Sequence, residues 1–303
     1  MSSLAALLDQ FENNLEPSDL KSSPVPAQVL GYGEISTVFQ LEEAPDWAAK
    51  RMPLFESRQA AEVYQKQYQE YCQVLREMGL SLPEDQTLIL EPPNRPVVLY
   101  ILQKTLPGDR FAHTLLHTLP PEALRTMIEA IVTALESVWN YNAEHRPERE
   151  FAIDGQLSNW VWVDNQVWYI DTSTPLYRLQ GQEQLDPELF LKSAPSFLRW
   201  IIRLAFLKDV MNRYYDRRLV YIDLVANVFK EQKPELVPDL ITWLNDQCPD
   251  LKPPLIGEAV EKYYQEDKLI WALFLAFRRF DRWMTTTLFR KRYEFILPGK
   301  IVR

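Results

Sequence analysis

The dominant hydrophobic period of this chain shifts near residue 105, and that shift constrains the fold more than any other feature. From about residue 29 to 105 the apolar residues mostly alternate as they do in half-buried strands. Val29–Leu41 reads as two strands around a glycine turn, Asp46–Met52 as a third, and Thr87–Leu90 with Val97–Leu102 as a hairpin across Pro92-Pro93-Asn94. One helix, Ser57–Met78, interrupts them. After Leu106-Pro107-Gly108 the spacing becomes helical. Glu122–Glu144 puts Leu124, Ile128, Ile131, Leu135, Val138 and Trp139 on one stripe. Pro187–Lys192, Ser196–Tyr215, Leu219–Glu231, Val237–Asn245, Gly257–Gln265 and Lys268–Thr287 follow as helices separated by Pro, Gly and Asp. An amphipathic helix over residues 3–14, carrying Leu4, Leu7, Leu8 and Phe11, precedes the Ser/Pro linker Glu16–Pro26. The expectation is an α+β protein in three parts. These are an N-terminal helix and linker (1–26), a mainly antiparallel sheet with one helix (27–105) and a larger, mainly helical region (106–303).

Composition narrows the function classes. With 303 residues, 47% of them apolar and 25% charged, the chain can bury a large core. A net charge of −9 argues against a general nucleic-acid binder, whose affinity comes from neutralising phosphates. The tail dissents: from Trp271 to Arg303 eight basic residues face Asp281 and Glu294, giving +6 and leaving −15 for the rest. Such a tail reads first as a solvated helix face balancing an acidic neighbour, and second as a surface for an anionic partner or membrane. Cys72 and Cys248 are too few and too far apart for a disulfide framework or a zinc site, which fits a reducing cytoplasm. The N-terminus lacks the basic-then-apolar pattern of a leader, and the apolar runs Leu269–Phe277 and Trp200–Leu207 are too short to span a bilayer.

The chemistry concentrates between Phe151 and Ser173. Asp154, Asn159 and Asp171 bracket two short apolar strands, Trp160–Val163 and Val167–Ile170, joined by Asp164-Asn165-Gln166, residues that tolerate positive φ. A hairpin there returns Asp171 close to Asn159. Two such oxygen ligands can hold Mg²⁺ against a polyphosphate while Asp154 orients an attacking hydroxyl. Trp160, Trp162 and Trp168 read as core on the same hairpin. Upstream, Gly31 and Gly33 lie in Gly31-Tyr32-Gly33-Glu34-Ile35-Ser36-Thr37-Val38, a turn between strands that reads as a bulged hairpin or as a phosphate-binding loop. Lys50 follows on the next strand with Ala48 on its face, and Glu62, Glu70 and Glu77 lie on the following helix. A Lys–Glu pair between strand and helix would hold the ammonium over phosphate oxygens.

In this order the parts resemble the protein-kinase-like superfamily, in its branch of aminoglycoside phosphotransferases and choline kinases. The resemblance runs from about Val29 to Ile170 and on through the helical region. It implies a two-lobed kinase-like fold that binds ATP and Mg²⁺ between a small sheet lobe and a larger helical lobe. By that resemblance the glycine-rich loop is Gly31–Val38, including Ser36, the phosphate-binding lysine is Lys50 and its helix partner is Glu70. The hinge is Leu102–Lys104, ahead of a Leu106-Pro107-Gly108 similar to the LPG of small-molecule kinases. Val38 and Ala48 would cover one face of adenine and Val161 the other. Asp154-Gly155-Gln156-Leu157-Ser158-Asn159 has the family's D-x-x-x-x-N spacing, and Asp171-Thr172-Ser173 stands where Asp-Phe-Gly sits. Asp154 would then be the catalytic base, with Asn159 and Asp171 as metal ligands.

The chain departs from the family at Ser36 for the third glycine, Ala152 for histidine, Ile153 for arginine and Ser173 for the last glycine. Loss of the arginine argues against control by activation-loop phosphorylation, and Ala194-Pro195-Ser196 matches Ala-Pro-Glu poorly. A small-molecule hydroxyl acceptor is therefore expected over a protein substrate. Three alternatives stay open: a nucleotide-binding pseudokinase or scaffold, transfer of AMP, and a purely structural interaction protein.

Overall fold

The computed structural model describes residues 3–33, 36–186, 188–192 and 211–297. The chain is α+β, with antiparallel sheets and about half of the described residues in helices. Helix α1 (Ser3–Asn14) leads into a five-stranded antiparallel sheet of order β1-β2-β3-β5-β4, formed by β1 (Ala27–Tyr32), β2 (Thr37–Leu41), β3 (Trp47–Phe55), β4 (Asp85–Leu90) and β5 (Val97–Lys104). Strands β3 and β5 are buried along almost their whole length because both faces of the sheet are covered. Alternation sorts their side chains. Met52, Leu99 and Ile101 join the larger core under helix α2 (Arg58–Glu77), whereas Ala49, Val98, Tyr100 and Leu102 join a second core with Leu8 and Phe11 of α1.

Helix α2 starts where Ser57 accepts a hydrogen bond from the Ala60 amide at 3.2 Å, and it ends at Gly79, whose φ of +96° lets the chain turn away. Its buried stripe is Ala61, Tyr64, Tyr68, Tyr71, Cys72 and Leu75.

On the α1 side of the sheet a charged cluster lies in the core. Arg51 donates to both carboxylate oxygens of Glu12, at 2.7 and 2.8 Å, and to the Glu294 carboxylate at 3.1 Å; the Tyr100 hydroxyl donates to Glu12 at 2.6 Å, and Arg95 joins both acids. Burial pushes the Glu12 carboxyl up, but its bonds to Arg51 and Tyr100 and the charge of Arg95 outweigh this and hold it below the usual range. The cluster fastens both α1 and the segment around Glu294 to the sheet.

The helical part contains short α3 (Ala112–Leu115), long α4 (Pro121–His145), a three-stranded sheet of β6 (Arg149–Phe151), β9 (Tyr177–Leu179) and β10 (Gln182–Glu183), and the hairpin of β7 (Trp160–Val163) and β8 (Gln166–Tyr169). Then come α5 (Glu188–Lys192), α6 (Arg217–Lys230), α7 (Val237–Gln247) and α8 (Gly257–Trp283), the last closed by a π-helical turn at Met284–Leu288. The two helices expected over 257–287 are one, because Glu266 and Asp267 are not helix breakers and Lys262 pairs with Glu266 one turn on. The helix expected at Ser196–Tyr215 lies largely outside the described residues, as does Ala194-Pro195-Ser196. Among the described residues no helix is long and apolar enough to cross a membrane. Part of the basic tail is used internally: Arg278 is buried against the Phe295 ring, and Arg292 bonds Glu16 at 2.9 Å and Glu294 at 2.9 Å.

Candidate functional site

The site is assembled around the β7–β8 hairpin. Asp164 and Asn165, at φ 51° and 60°, form the two-residue turn that the twist of a hairpin favours. Pairing runs from Val163↔Gln166 to Trp160↔Tyr169 and is carried one step further by the Ile170 amide, which donates to the Asn159 carbonyl at 3.0 Å. Asn159 and Asp171 therefore flank the open end of the hairpin. The Asn159 side chain keeps a buried Nδ2 without a hydrogen-bond partner.

The loop ahead of the hairpin is held by buried polar bonds. Asn142 donates to the Phe151 carbonyl and accepts from the Phe151 amide, both at 2.7 Å, and the Tyr71 hydroxyl donates to the Ala152 carbonyl at 2.8 Å. Asp154 Oδ1 accepts from the Gln156 amide at 3.0 Å, which fixes the carboxylate on the loop. Gly155 permits a close approach: a Cβ there would lie 2.9 Å from Val220 Cγ1 and 3.3 Å from the Val220 carbonyl on α6. One turn further along α6 lies Asp223, buried in a helix whose residues from Val220 to Val228 are all buried. Asp154 is partly reached by solvent yet densely surrounded by protein. That burial, with the charges of Asp223 and then Asp171, raises its carboxyl well above the usual range. Burial and Asp267 push Asp223 up to about 7.

Lys50 meets this constellation from the sheet. Its ammonium donates to the Ile170 carbonyl at 2.8 Å and pairs with Asp171 Oδ1 at 3.3 Å. Neighbouring bonds clasp the same segment. Ser173 Oγ donates to Asp171 Oδ1 at 3.1 Å, the Tyr64 hydroxyl to the Ser173 carbonyl at 2.6 Å, and Gln103 Nε2 to Thr172 Oγ1 at 3.0 Å. Val38 stands opposite Lys50 and Ala48 two residues before it, so both half-buried side chains share its face.

Three expectations are corrected. Glu70 does not pair with Lys50; it accepts from Arg149 at 2.5 Å and from the Tyr177 hydroxyl at 3.0 Å, because it lies off the buried stripe of α2 while Tyr64 faces the Asp171 segment. Leu102 is not at a hinge. It is paired on both sides inside β5, and its side chain points into the α1 core, away from Lys50, so the strand ends only after Lys104. Val161 is fully buried, bridged to Phe111, and presents no free face to a nucleotide. The glycine turn is divided. Gly33 is crowded by Ser36, whose Oγ would sit 2.8 Å from an added Cβ, but nothing lies within 4 Å of a Cβ at Gly31, and Glu34 and Ile35 fall outside the described residues.

Sequence reasoning missed Asp223, Gln103 and Tyr64. Asp223 had a signal: it is the one charge in the stretch Leu219–Val228, where only Asn227 is also polar and a charge is out of place unless it serves something. It also lines a cleft with Gln156, Asn227, Lys230, Tyr263 and Asp267, directly beside the Asp154 loop.

Among the described residues no three or more His, Cys, Asp or Glu side chains form a metal-binding group. Mg²⁺ does not require one, since it is commonly held by one or two carboxylates with water and phosphate oxygens. The buried, unpartnered Asn159 Nδ2 is a donor that asks for an acceptor oxygen, and the Asp171 carboxylate, a third of it open to solvent, is the group on the hairpin that could meet a cation.

Sheet, hairpin and acid cluster together define an α+β protein with a polar site where its sheet meets its helical part. The chain belongs to the family described as a family of unknown function (DUF6206), whose model matches residues 15–282. No curated protein matches it. Among solved structures it is similar to WaaP in complex with acyl carrier protein, at 14% identity and a TM-score of 0.33, over 75% of this chain and 90% of that one.

Proposed function

We propose that the protein is a two-lobed, kinase-like phosphotransferase that moves the terminal phosphoryl group of ATP, with Mg²⁺, onto a hydroxyl of a small molecule in the cytoplasm. Residues 27–105 form the small lobe and 106–303 the larger one, with 1–26 packed on the first. The observation that carries this reading is the meeting of Lys50 with Asp171 at 3.3 Å beside the buried carboxylate of Asp154.

Phosphoryl transfer asks for positioning and charge, with little covalent work by the protein. Asp154 accepts a hydrogen bond from the acceptor hydroxyl and takes its proton as the new P–O bond forms. Burial and the charges of Asp223 and Asp171 raise its proton affinity, which makes the ionised carboxylate a stronger proton acceptor than an exposed one. Lys50 offsets negative charge on the nucleotide phosphates, and Gly33, Ser36, Val38 and Ala48 line the nucleotide side. Asp171 and Asn159 are the residues that would hold Mg²⁺, whose charge screens the polyphosphate. The Asp223 cleft beside Gln156 is where the acceptor would enter.

A second reading, nucleotide binding without transfer, is favoured by one observation: Lys50 bonds Asp171 while Glu70 is engaged elsewhere. A panel of hydroxyl metabolites assayed for ADP release, alongside thermal shift with ATP and Mg²⁺, separates the two. Acceptor-dependent ADP release that disappears in Asp154→Asn supports transfer. A nucleotide-induced shift with no turnover across the panel supports the second reading, and no shift at all rejects both.

A further inference from the structure

We propose that the face running from Leu269 to Phe289 docks the protein, in the plane of the interface, on an anionic lipid bilayer. Twelve large apolar side chains are exposed among the described residues, and eight of them fall in this stretch: Leu269, Ile270, Leu273, Phe277, Phe280, Trp283, Leu288 and Phe289. On α8, Leu269 and Ile270 are followed by Leu273, Phe277, Phe280 and Trp283 at steps of three or four residues, so the six form one stripe along the helix. Their exposures run from 36% at Phe277 to 64% at Leu288. A contiguous apolar face of this kind marks a surface that something covers.

Charge identifies the occupant. Arg279, Arg282, Arg290 and Lys291 are exposed along the same stretch, and its single acid, Asp281, is half-buried. Residues 269–291 carry Arg278, Arg279, Arg282, Arg290 and Lys291 against Asp281, a net of +4 that leaves −13 for the rest of a chain of −9. A second copy of the chain seated on this stripe would bring two rims of one sign together, which opposes association. A helical protein partner of ordinary mixed charge leaves the concentration of one sign unexplained. An anionic leaflet satisfies both features: Phe and Trp rings enter the headgroup boundary while Arg and Lys stems reach up to phosphate oxygens.

The stripe is one-sided, and no described helix can cross a bilayer, so the contact is peripheral. Arg282 and Lys291 also line a cleft next to the stripe with Thr286, Arg292 and Glu16, where Glu16 is paired with Arg292 and the other two cations are exposed. The negative remainder of the molecule would be repelled from the same leaflet, which fixes the orientation. This proposal stands independently of phosphotransfer, since none of its residues belongs to the Lys50–Asp171 site.

The test is flotation of the full-length protein with phosphatidylcholine vesicles, with and without phosphatidylglycerol. We expect flotation with the anionic vesicles only, weakened by added salt. Phe280→Glu/Trp283→Glu should abolish it. Arg290→Glu/Lys291→Glu should weaken it by about fivefold or more for each charge removed. All of these side chains are exposed, so circular dichroism and the melting temperature of both variants should match wild type. Failure of the wild type to float, equal flotation with neutral vesicles, or wild-type flotation by both variants would overturn the proposal. A lipid-free dimer dissolved by Phe280→Glu/Trp283→Glu would assign the face to a second copy instead.

Discussion

Lys50 Nζ lies 3.3 Å from Asp171 Oδ1, and this ion pair ties a central strand of the sheet to a hairpin 121 residues later. The lysine is nearly enclosed, while a third of the Asp171 side chain is open to solvent, so the carboxylate can exchange one partner for another. Lys50→Met removes the positive charge and leaves the Ile170 carbonyl without its donor. Initial-rate measurements should show ATP turnover falling by about 100-fold or more. Lys50→Arg should not restore it, because a planar fork cannot replace a compact ammonium in an enclosed position.

Asp154→Asn keeps the shape of the loop, because an amide oxygen can still accept the Gln156 amide. It removes the proton acceptor and one of several crowded charges. Transfer should drop by about 10²–10⁴-fold, while the thermal shift produced by nucleotide stays at its wild-type size.

The Asp223 carboxyl is raised to about 7 in the folded protein, against about 4 for an exposed carboxyl. Between those values the folded state holds a proton that the unfolded chain has released. Its contribution to stability is therefore complete below about pH 4 and is lost as the pH rises through about 7. Melting temperatures measured from pH 4 to pH 8 should fall along this range. Asp223→Asn should flatten that fall and raise the melting temperature at pH 8 by several degrees.

The Glu12–Arg51 pair lies on the far side of the sheet, with both side chains almost completely buried. Taking away one partner strands the other charge in the core. Glu12→Gln or Arg51→Met should each cost about 3–5 kcal/mol in urea unfolding. Nucleotide affinity of the protein that remains folded should not change.

Gly155→Ala would place a methyl group 2.9 Å from Val220 Cγ1 and 3.3 Å from a backbone oxygen. The loop must shift off α6, and Asp154 with it. Turnover should fall by about 10-fold or more, and Gly155→Ala/Val220→Ala should recover part of the loss by relieving the side-chain contact.

What the sequence disclosed follows from the range of each interaction. The sheet strands, the hairpin and its turn were legible because alternation and Asp164-Asn165 act over a few residues. The proximity of Asn159 to the residues before Asp171 followed from that turn alone. Glu70 is misplaced for want of helical phase: it comes one residue before Tyr71 of the buried stripe Ala61, Tyr64, Tyr68 and Tyr71, about 100° of rotation away, enough to turn it toward Arg149. Leu102 was misplaced for want of strand phase, since Ile101 and Gln103 share the face of Lys50 and Leu102 does not. Asp223 stood out as a lone acid, but its place beside the loop comes only from the tertiary packing of Gly155 on Val220, which brings α6 there. The merging of 257–283 into one helix shows that charged residues alone do not end a helix.

The most direct test of the central claim is calorimetric titration of ATP with Mg²⁺ into the wild-type chain and into Lys50→Met. The account predicts saturable one-site binding by the wild type, lost or greatly weakened in the variant while its fold remains intact. No binding by the wild type, or equal binding by both, would contradict it.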